Sequence, residues 1–538
     1  MKIQSALSRS FVNELLVVGI IVLACLKFTS GVEQKLDVGL YDESYYLYNG
    51  VTLSLSNIPE ANNAPLYSLW YYALSLIEPD RIALYFLNFK LMAILPPLFL
   101  YILLRAKGAP LLLSSVITLL FLISQANLPT WPKVSHFALL IILTALTLIS
   151  RIANNLAATA VAIVSALLMA YVRPEYFLSF SIFALAVIVL YIRAHDRFSR
   201  LNTGVLISAM ITSTALIAAL GAPLSGGRSI FAFGQHFSLN WVSWTGSDLN
   251  PWTNWQDIVN RNFGPVQSVS EAFVSDPALF IRHLAVNSLK IFRPFPAIFF
   301  YHTNIILPPT KIFGLVEAFF VFALGVFFMI KSWPKNIKAA VANNKRFLLM
   351  ACAYAFTGFV SAIVIYPRDH YVLLPVMLMV LSIAVVFTTQ PPPTPAFVWP
   401  KQLAIILFCG VFVLLALPRY VDTASPLREN LATIQAIKAL QIEERVTMLE
   451  AQGGFNIYAG DNFRRMREFE KNAPFDRFLA EQNIGVIVLS DLVKDDPRFK
   501  HDSEWQSFLV DYYERGFNQI PIPNSTRTLF VRNDLLQK

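Results

Sequence analysis

Charged side chains are scarce in this sequence: they make up 14% of its 538 residues, against 56% hydrophobic ones. Soluble globular chains average about 25% charged residues, and a folded globule must wet its surface, so a soluble protein is excluded. Cysteine is nearly absent. Cys25, Cys352 and Cys409 stand inside apolar stretches, which leaves neither a disulfide framework nor a metal cluster. Glycine and proline, at 21 and 31 residues, are too few for a fibrous or low-complexity chain. No G-x-G-x-x-G, P-loop or H-E-x-x-H occurs. His195, His236, His283, His302 and His501 are scattered without metal-ligand spacing, and no internal repeat of the kind that marks many transporter halves is present.

What the chain has instead is long apolar runs. A helix needs about 20 predominantly apolar residues to cross the hydrocarbon core. Eleven stretches qualify: 12–29, 82–104, 109–126, 134–150, 156–172, 176–194, 203–221, 312–331, 347–366, 371–388 and 402–418. The first lacks a small-residue cleavage site and runs into acidic, aromatic sequence, so it reads as a retained anchor. The run Ala64–Ile77 is too short to cross and reads as a juxtamembrane helix.

The charges that remain are sorted by side. Residues 421–538 hold 15 Lys/Arg and 18 Asp/Glu, while residues 1–420 hold 28 and 16. The isoelectric point near 9.3 therefore reflects basic loops beside a membrane and gives no support for nucleic-acid binding. With the N-terminus cytoplasmic, fourteen basic residues fall at the inner ends of the spans. Only Lys35, Arg81, Lys133, Arg173 and Arg368 fall in the short outer loops, a positive-inside bias. The expected architecture is an all-α polytopic protein of the plasma (inner) membrane over residues 1–420, with outer loops 30–81 and 222–311. A small extracytoplasmic α/β domain over 421–538 follows. In that domain Leu427–Glu450 and Ser503–Tyr513 have helical spacing, and Ile484–Leu489 and Thr528–Val531 read as strands. The proline-rich segment Thr388–Pro400 reads as a connector.

Several short clusters stand at the outer face. Tyr41-Asp42-Glu43-Ser44-Tyr45-Tyr46 sets two adjacent carboxylates among aromatics just after the first span. That suits a polar, hydroxylated substrate at an interface, but the spacing alone favours a solvated loop whose tyrosines form an interfacial belt. Arg173-Pro174-Glu175 lies between two spans, either as an ion pair sealing helix ends or as a guanidinium placed to hold a phosphate. Arg368-Asp369-His370-Tyr371 opens a late span and carries the same two readings. Lys133 and His136 begin another span, where a lone His is usually a packed interfacial residue. Lys90 lies roughly 12 Å into the second span, where an intramembrane charge suggests function. Ser225-Gly226-Gly227-Arg228 has the composition of an anion-binding nest but reads better as a plain turn.

An Asp-Glu pair and a following Tyr after the first span, then Ala64-Pro65-Leu66-Tyr67-Ser68-Leu69, resemble the C-type (GT-C) fold of membrane glycosyltransferases. That group uses polyprenyl-phosphate-linked sugars and includes protein O-mannosyltransferases and lipid A aminoarabinose transferases. Arg173-Pro174-Glu175, Arg368-Asp369-His370-Tyr371 with Leu374-Pro375, and an outer C-terminal domain also match. The sequence departs from many relatives at Asn62-Asn63-Ala64, where they carry a charged residue or a second proline. The resemblance implies inverting transfer of a sugar from a polyprenyl phosphate to an envelope acceptor (glycan, lipid or protein) on the outer face. In it Asp42 acts as general base, assisted by Glu43. Arg173, Glu175, Arg368, His370, Tyr371, Tyr45 and Lys133 bind the substrate or the lipid phosphate. No cofactor is firmly implied, and a divalent cation is compatible with the chemistry. Two other classes remain open from the sequence: an envelope polymerase or ligase, whose basic residues would be Arg228, Arg261 and Arg282, and a lipid or solute transporter.

Overall fold

In the computed structural model the described residues are 2–124, 126–128, 132–193, 199–225, 227–292, 337–387 and 428–536, with 407, 410, 411, 415 and 419. In lipid every backbone polar group must be satisfied within the chain, which selects helices. Seven of the described helices are long and apolar enough to cross a membrane: Val12–Gln34, Arg81–Ala106, Val134–Arg151, Pro174–Arg193, Arg200–Leu220, Lys345–Val364 and Asp369–Phe387. Each overlaps an expected stretch. Stretches 109–126 and 156–172 are also helical but shorter. Helix α5 (Leu111–Leu122) has 12 residues, about 18 Å, because the chain turns after it, where the Asn127 amide donates to the carbonyls of Ala93 and Leu122. Helix α7 (Asn155–Ala170) is capped by the Asn154 side chain and stops before Arg173-Pro174, a dipeptide that disfavours helix. Stretch 312–331 and the connector 388–400 lie outside the described residues, and 402–418 largely does.

The chain divides into two compact units. Unit 1 comprises residues 1–30, 55–67 and 89–423. At its centre α7 packs against α6 (Val134–Arg151), α8 (Phe177–Arg193) and α9 (Arg200–Leu220). The Ser165 and Tyr354 hydroxyls meet at 2.7 Å inside. Helices α8 and α9 expose Leu185, Ile192, Met210 and Ile211, the apolar outer face that lipid requires. Pro375 sits inside the helix Asp369–Phe387 and fills the space over Gly358, where a Cβ would lie 2.9 Å from the proline ring. The tryptophan-rich stretch is itself helical: α10 (Arg228–Thr245), α11 (Trp255–Phe263), α12 (Val269–Ser275) and α13 (Pro277–Lys290) close around Phe233, Phe237, Ile258, Phe263 and Phe280.

Unit 2 comprises residues 31–54, 68–88 and 424–538. Its sheet has the order β2-β1-β3-β5-β4, from β1 (Val446–Leu449), β2 (Phe463–Met466), β3 (Ile484–Leu489), β4 (Phe517–Pro521) and β5 (Thr528–Arg532). β1 runs parallel to β2 and β3, and β5 runs antiparallel to β3 and β4. Phe475, Phe499, Trp505, Phe508 and Phe530 form its core. β3 has the expected bounds, and a helix covers Ser503–Asp511. The stretch Leu427–Glu450, expected as one helix, is instead a helix Glu429–Ala439 followed by β1. The chain turns at Gln441, whose φ is +50°, and Val446–Leu449 is buried on both faces, a pattern that periodicity cannot tell from a helix.

The acidic aromatic segment is also a helix and not an open turn: α2 spans Asp42–Val51. It crosses the second half of α3 (Pro65–Ser75) at Gly50. A Cβ there would collide with that of Tyr71 and stand 2.8 Å from the Ser68 carbonyl oxygen. Backbone cannot yield cheaply, so Gly50→Ala is expected to destabilise the protein by about 1–3 kcal/mol and lower its melting temperature in detergent. An unchanged melt would contradict this crossing.

Candidate functional site

In unit 2 the geometry separates the two adjacent carboxylates. Tyr41 has φ 56° and ψ −122°, a conformation that costs about 1–3 kcal/mol for a residue with a side chain. It is held because the Tyr41 N–H donates to the Gly453 carbonyl at 2.9 Å and the Ser44 hydroxyl donates to the Tyr41 carbonyl at 2.8 Å. The bend starts α2 at Asp42, which is exposed. Glu43, one step round the helix, is 1% exposed. Its Oε1 accepts from the Tyr71 hydroxyl at 2.5 Å and from Asn88 Nδ2 at 3.2 Å. Asn88 is in turn oriented by Trp70 Nε1, 2.9 Å from its Oδ1. Glu43 is therefore built in as a brace for the start of α2, and Asp42 is the carboxylate presented to solvent. Tyr45 lies exposed on the same helix, edge-to-face with Tyr46.

In unit 1 a second cluster forms where three segments meet. Arg173, extended ahead of Pro174, is 6% exposed. It donates from Nε to Glu175 at 2.6 Å and from Nη1 to the Ser135 hydroxyl at 2.6 Å. Its guanidinium also lies 4.6 Å over the ring of Tyr371. Thus the Arg173–Glu175 ion pair exists, and it aims the arginine at the start of the helix Asp369–Phe387. His370 packs on Tyr371 with ring centroids 4.3 Å apart. Arg368 is half-buried and lies 4.8 Å over the ring of Trp252. Among the described residues its guanidinium has neither a hydrogen bond nor an ion pair.

His236 completes this cluster. Its ring lies 5.7 Å from Trp252, 5.6 Å from Tyr366 and 6.2 Å from Tyr371. Nδ1 is bonded to the Ala232 carbonyl at 2.7 Å, so Nδ1 carries the proton. Nε2 is buried and has no partner among the described residues. Burial, and then the charge of Arg368, push the His236 pKa down to about 3. The imidazole is neutral at physiological pH, and Nε2 is a bare acceptor. In the sequence His236 is one of several scattered histidines, because a single His on an aromatic helix carries no pattern of its own.

A polar lattice behind the cluster fixes the backbone that leads to Arg368. Asn240 donates to His283 Nδ1 and Asn287 Oδ1, Asn287 donates to the carbonyls of Ile363 and Ile365, and Lys290 donates to Asn240 at 2.6 Å. α13 is thereby tied to the end of the helix Lys345–Val364.

Lys133, two residues before the Ser135 that Arg173 bonds, is fully buried. Its ammonium is held by the Asn127 carbonyl, by the Leu128 carbonyl at 3.0 Å and by the face of Phe89 at 4.2 Å. Those contacts brace the turn before α6. His136 is packed there too, bonded to the Ala126 carbonyl at 2.9 Å. Of the basic residues that a polymerase or ligase would use, Arg228 is engaged with Asn62 and Asn63, and Arg282 lies over Trp244. Among the described residues no group of three His, Cys, Asp or Glu side chains is placed to hold a metal ion.

No protein-family model matches this chain, and no curated protein matches it.

Proposed function

We propose that the protein is an integral membrane glycosyltransferase of the C-type fold, moving a sugar from a polyprenyl phosphate to an envelope acceptor on the outer face of the membrane. One observation carries the reading. Arg368 and His236 flank Trp252, the first a guanidinium without a hydrogen-bond partner among the described residues, the second a buried neutral acceptor. A cation, an aromatic face and a hydroxyl acceptor together suit a sugar phosphate. The guanidinium takes phosphate oxygens, the ring packs on the sugar, and Nε2 accepts from a sugar hydroxyl.

Phosphate is a good leaving group once cations stabilise its charge. The reaction then needs a single base to take the proton from the acceptor hydroxyl, not the acid and base pair of a glycoside hydrolase. Asp42, exposed at the start of a braced helix, is assigned that role, with Glu43 as its positioning residue. Arg368 and Arg173 stabilise the departing polyprenyl phosphate.

The test is to profile lipid-linked sugars in membranes with and without the protein. Loss of the protein is expected to make one polyprenyl-phosphate sugar accumulate, which also identifies the donor. Identical profiles would remove the proposal.

A further inference from the structure

Unit 2 holds another set of arginines that this chemistry does not use. β2 and the residue after it carry Arg464, Arg465 and Arg467. Side chains alternate along a strand, so Arg465 and Arg467 share one side and Arg464 points to the other. Arg464 is exposed, where water satisfies it. Arg465 and Arg467 are only partly exposed, and the Nε of each is shut off from solvent with no hydrogen-bond partner among the described residues. Leaving a buried charged donor unmade is expensive. The other buried or partly buried arginines of this unit behave differently: Arg81, Arg428, Arg498, Arg515, Arg527 and Arg532 all donate.

The local backbone is shaped around them. The Gly453-Gly454 turn, with φ of +72° and +131°, lies against Arg465, whose guanidinium occupies the space a Cβ at Gly453 would need. Glu450 is fully buried and accepts from the N–H groups of Gly454 and Phe455 at 3.0 and 3.1 Å. It forms an ion pair with Arg465, 3.3 Å from Nε, without the alignment of a hydrogen bond. Arg467 rests 4.4 Å over Phe469, and its neighbour Glu468 is buried. Burial raises the pKa of both carboxyls, Glu450 and Glu468, while the charges of Arg465 and Arg467 act to lower it. The same turn receives the Tyr41 N–H, and the charges of Arg467, Arg527 and Arg465 all bear on the Tyr41 hydroxyl. Tyr41 is the residue before Asp42.

We infer that Arg465 and Arg467 form an oxyanion-binding site beside Tyr41, which seats a phosphate or carboxylate group of an acidic acceptor. The ligand class follows from two guanidinium groups on one side of the strand, each with an Nε shielded from water and without a hydrogen-bond partner among the described residues. The acceptor role rests on Asp42 as the base; the anion site itself does not.

The experiment is calorimetric titration of the full-length protein in detergent, carrying Arg368→Gln to silence the cluster in unit 1. The ligands are glycerol 3-phosphate, glucuronate and, as the neutral control, glycerol. Saturable binding of at least one anion and none of glycerol is expected, and the preferred anion tells a phosphate acceptor from a carboxylate one. Adding Arg467→Gln is expected to weaken it about 10- to 100-fold, the worth of a charge-assisted hydrogen bond, while Arg464→Gln leaves it unchanged. If Arg467→Gln does not fold, Arg465→Gln carries the same expectation. No saturable anion binding, or equal affinity in these variants, overturns the site. Anion binding that obeys the pattern in a protein that transfers no sugar would leave the site standing and remove only the acceptor role.

Discussion

Asp42→Asn is expected to lower sugar transfer by about 10²–10⁴-fold, the worth of a positioned general base, with melting behaviour and donor binding close to those of the native protein. Asparagine keeps the size and the hydrogen bonding of the side chain and loses the basic lone pair. Exposure of Asp42 at the start of α2 means little packing depends on its charge. Glu43 contrasts with it. Glu43→Ala would remove the buried carboxylate to which the Tyr71 hydroxyl and the Asn88 amide donate, leaving Asn88 its 2.8 Å bond to the Tyr71 oxygen, at about 1–3 kcal/mol, so its first effect is on stability. Glu43→Gln keeps an oxygen for both donors and should be milder in both respects. The assay is transfer from a synthetic polyprenyl-phosphate sugar, with a melt recorded on each variant. Near-native rates for Asp42→Asn would take this residue out of the mechanism.

Arg368→Ala is expected to reduce turnover by about 10²–10³-fold, the loss seen when one preorganised donor to a developing negative charge is removed. KM for the donor should rise as well, because the guanidinium also binds the ground-state phosphate. Arg368→Lys should recover little. Lysine keeps the charge but loses the planar fork and the stacking over Trp252. Arg173 is a less clean probe. Its bonds to Glu175 and Ser135 make it part of the packing as well as of the charge cluster, so Arg173→Ala should lower the melting temperature along with the rate. Native kinetics in both Arg368 variants would show that no phosphate contacts this group.

Much of the architecture can be read from the chain, because crossing a membrane imposes a strong and one-dimensional constraint. Seven expected stretches are helices of crossing length, and Ile484–Leu489, an unbroken apolar run, is the strand it resembles. What is hard to read depends on partners far away in sequence. Nothing local shows that Glu43 is buried and Asp42 is not; that follows from Tyr71 and Asn88, which arrive from α3 and α4 (Arg81–Ala106). His236 and Trp252 gain meaning only when Arg368 and Tyr371 come beside them. Arg465 and Arg467 look like a solvated charge run until the strand direction and the Gly453-Gly454 turn show their shared, half-buried side.

The most direct test of the central claim is single-turnover reaction of the purified protein with a radiolabelled polyprenyl-phosphate sugar in the presence of membrane-derived acceptor. Release of free polyprenyl phosphate matched by label in the acceptor is expected, and neither product with Asp42→Asn or Arg368→Ala. Donor that stays intact across a panel of sugars, or is consumed equally by the wild type and both variants, would contradict it.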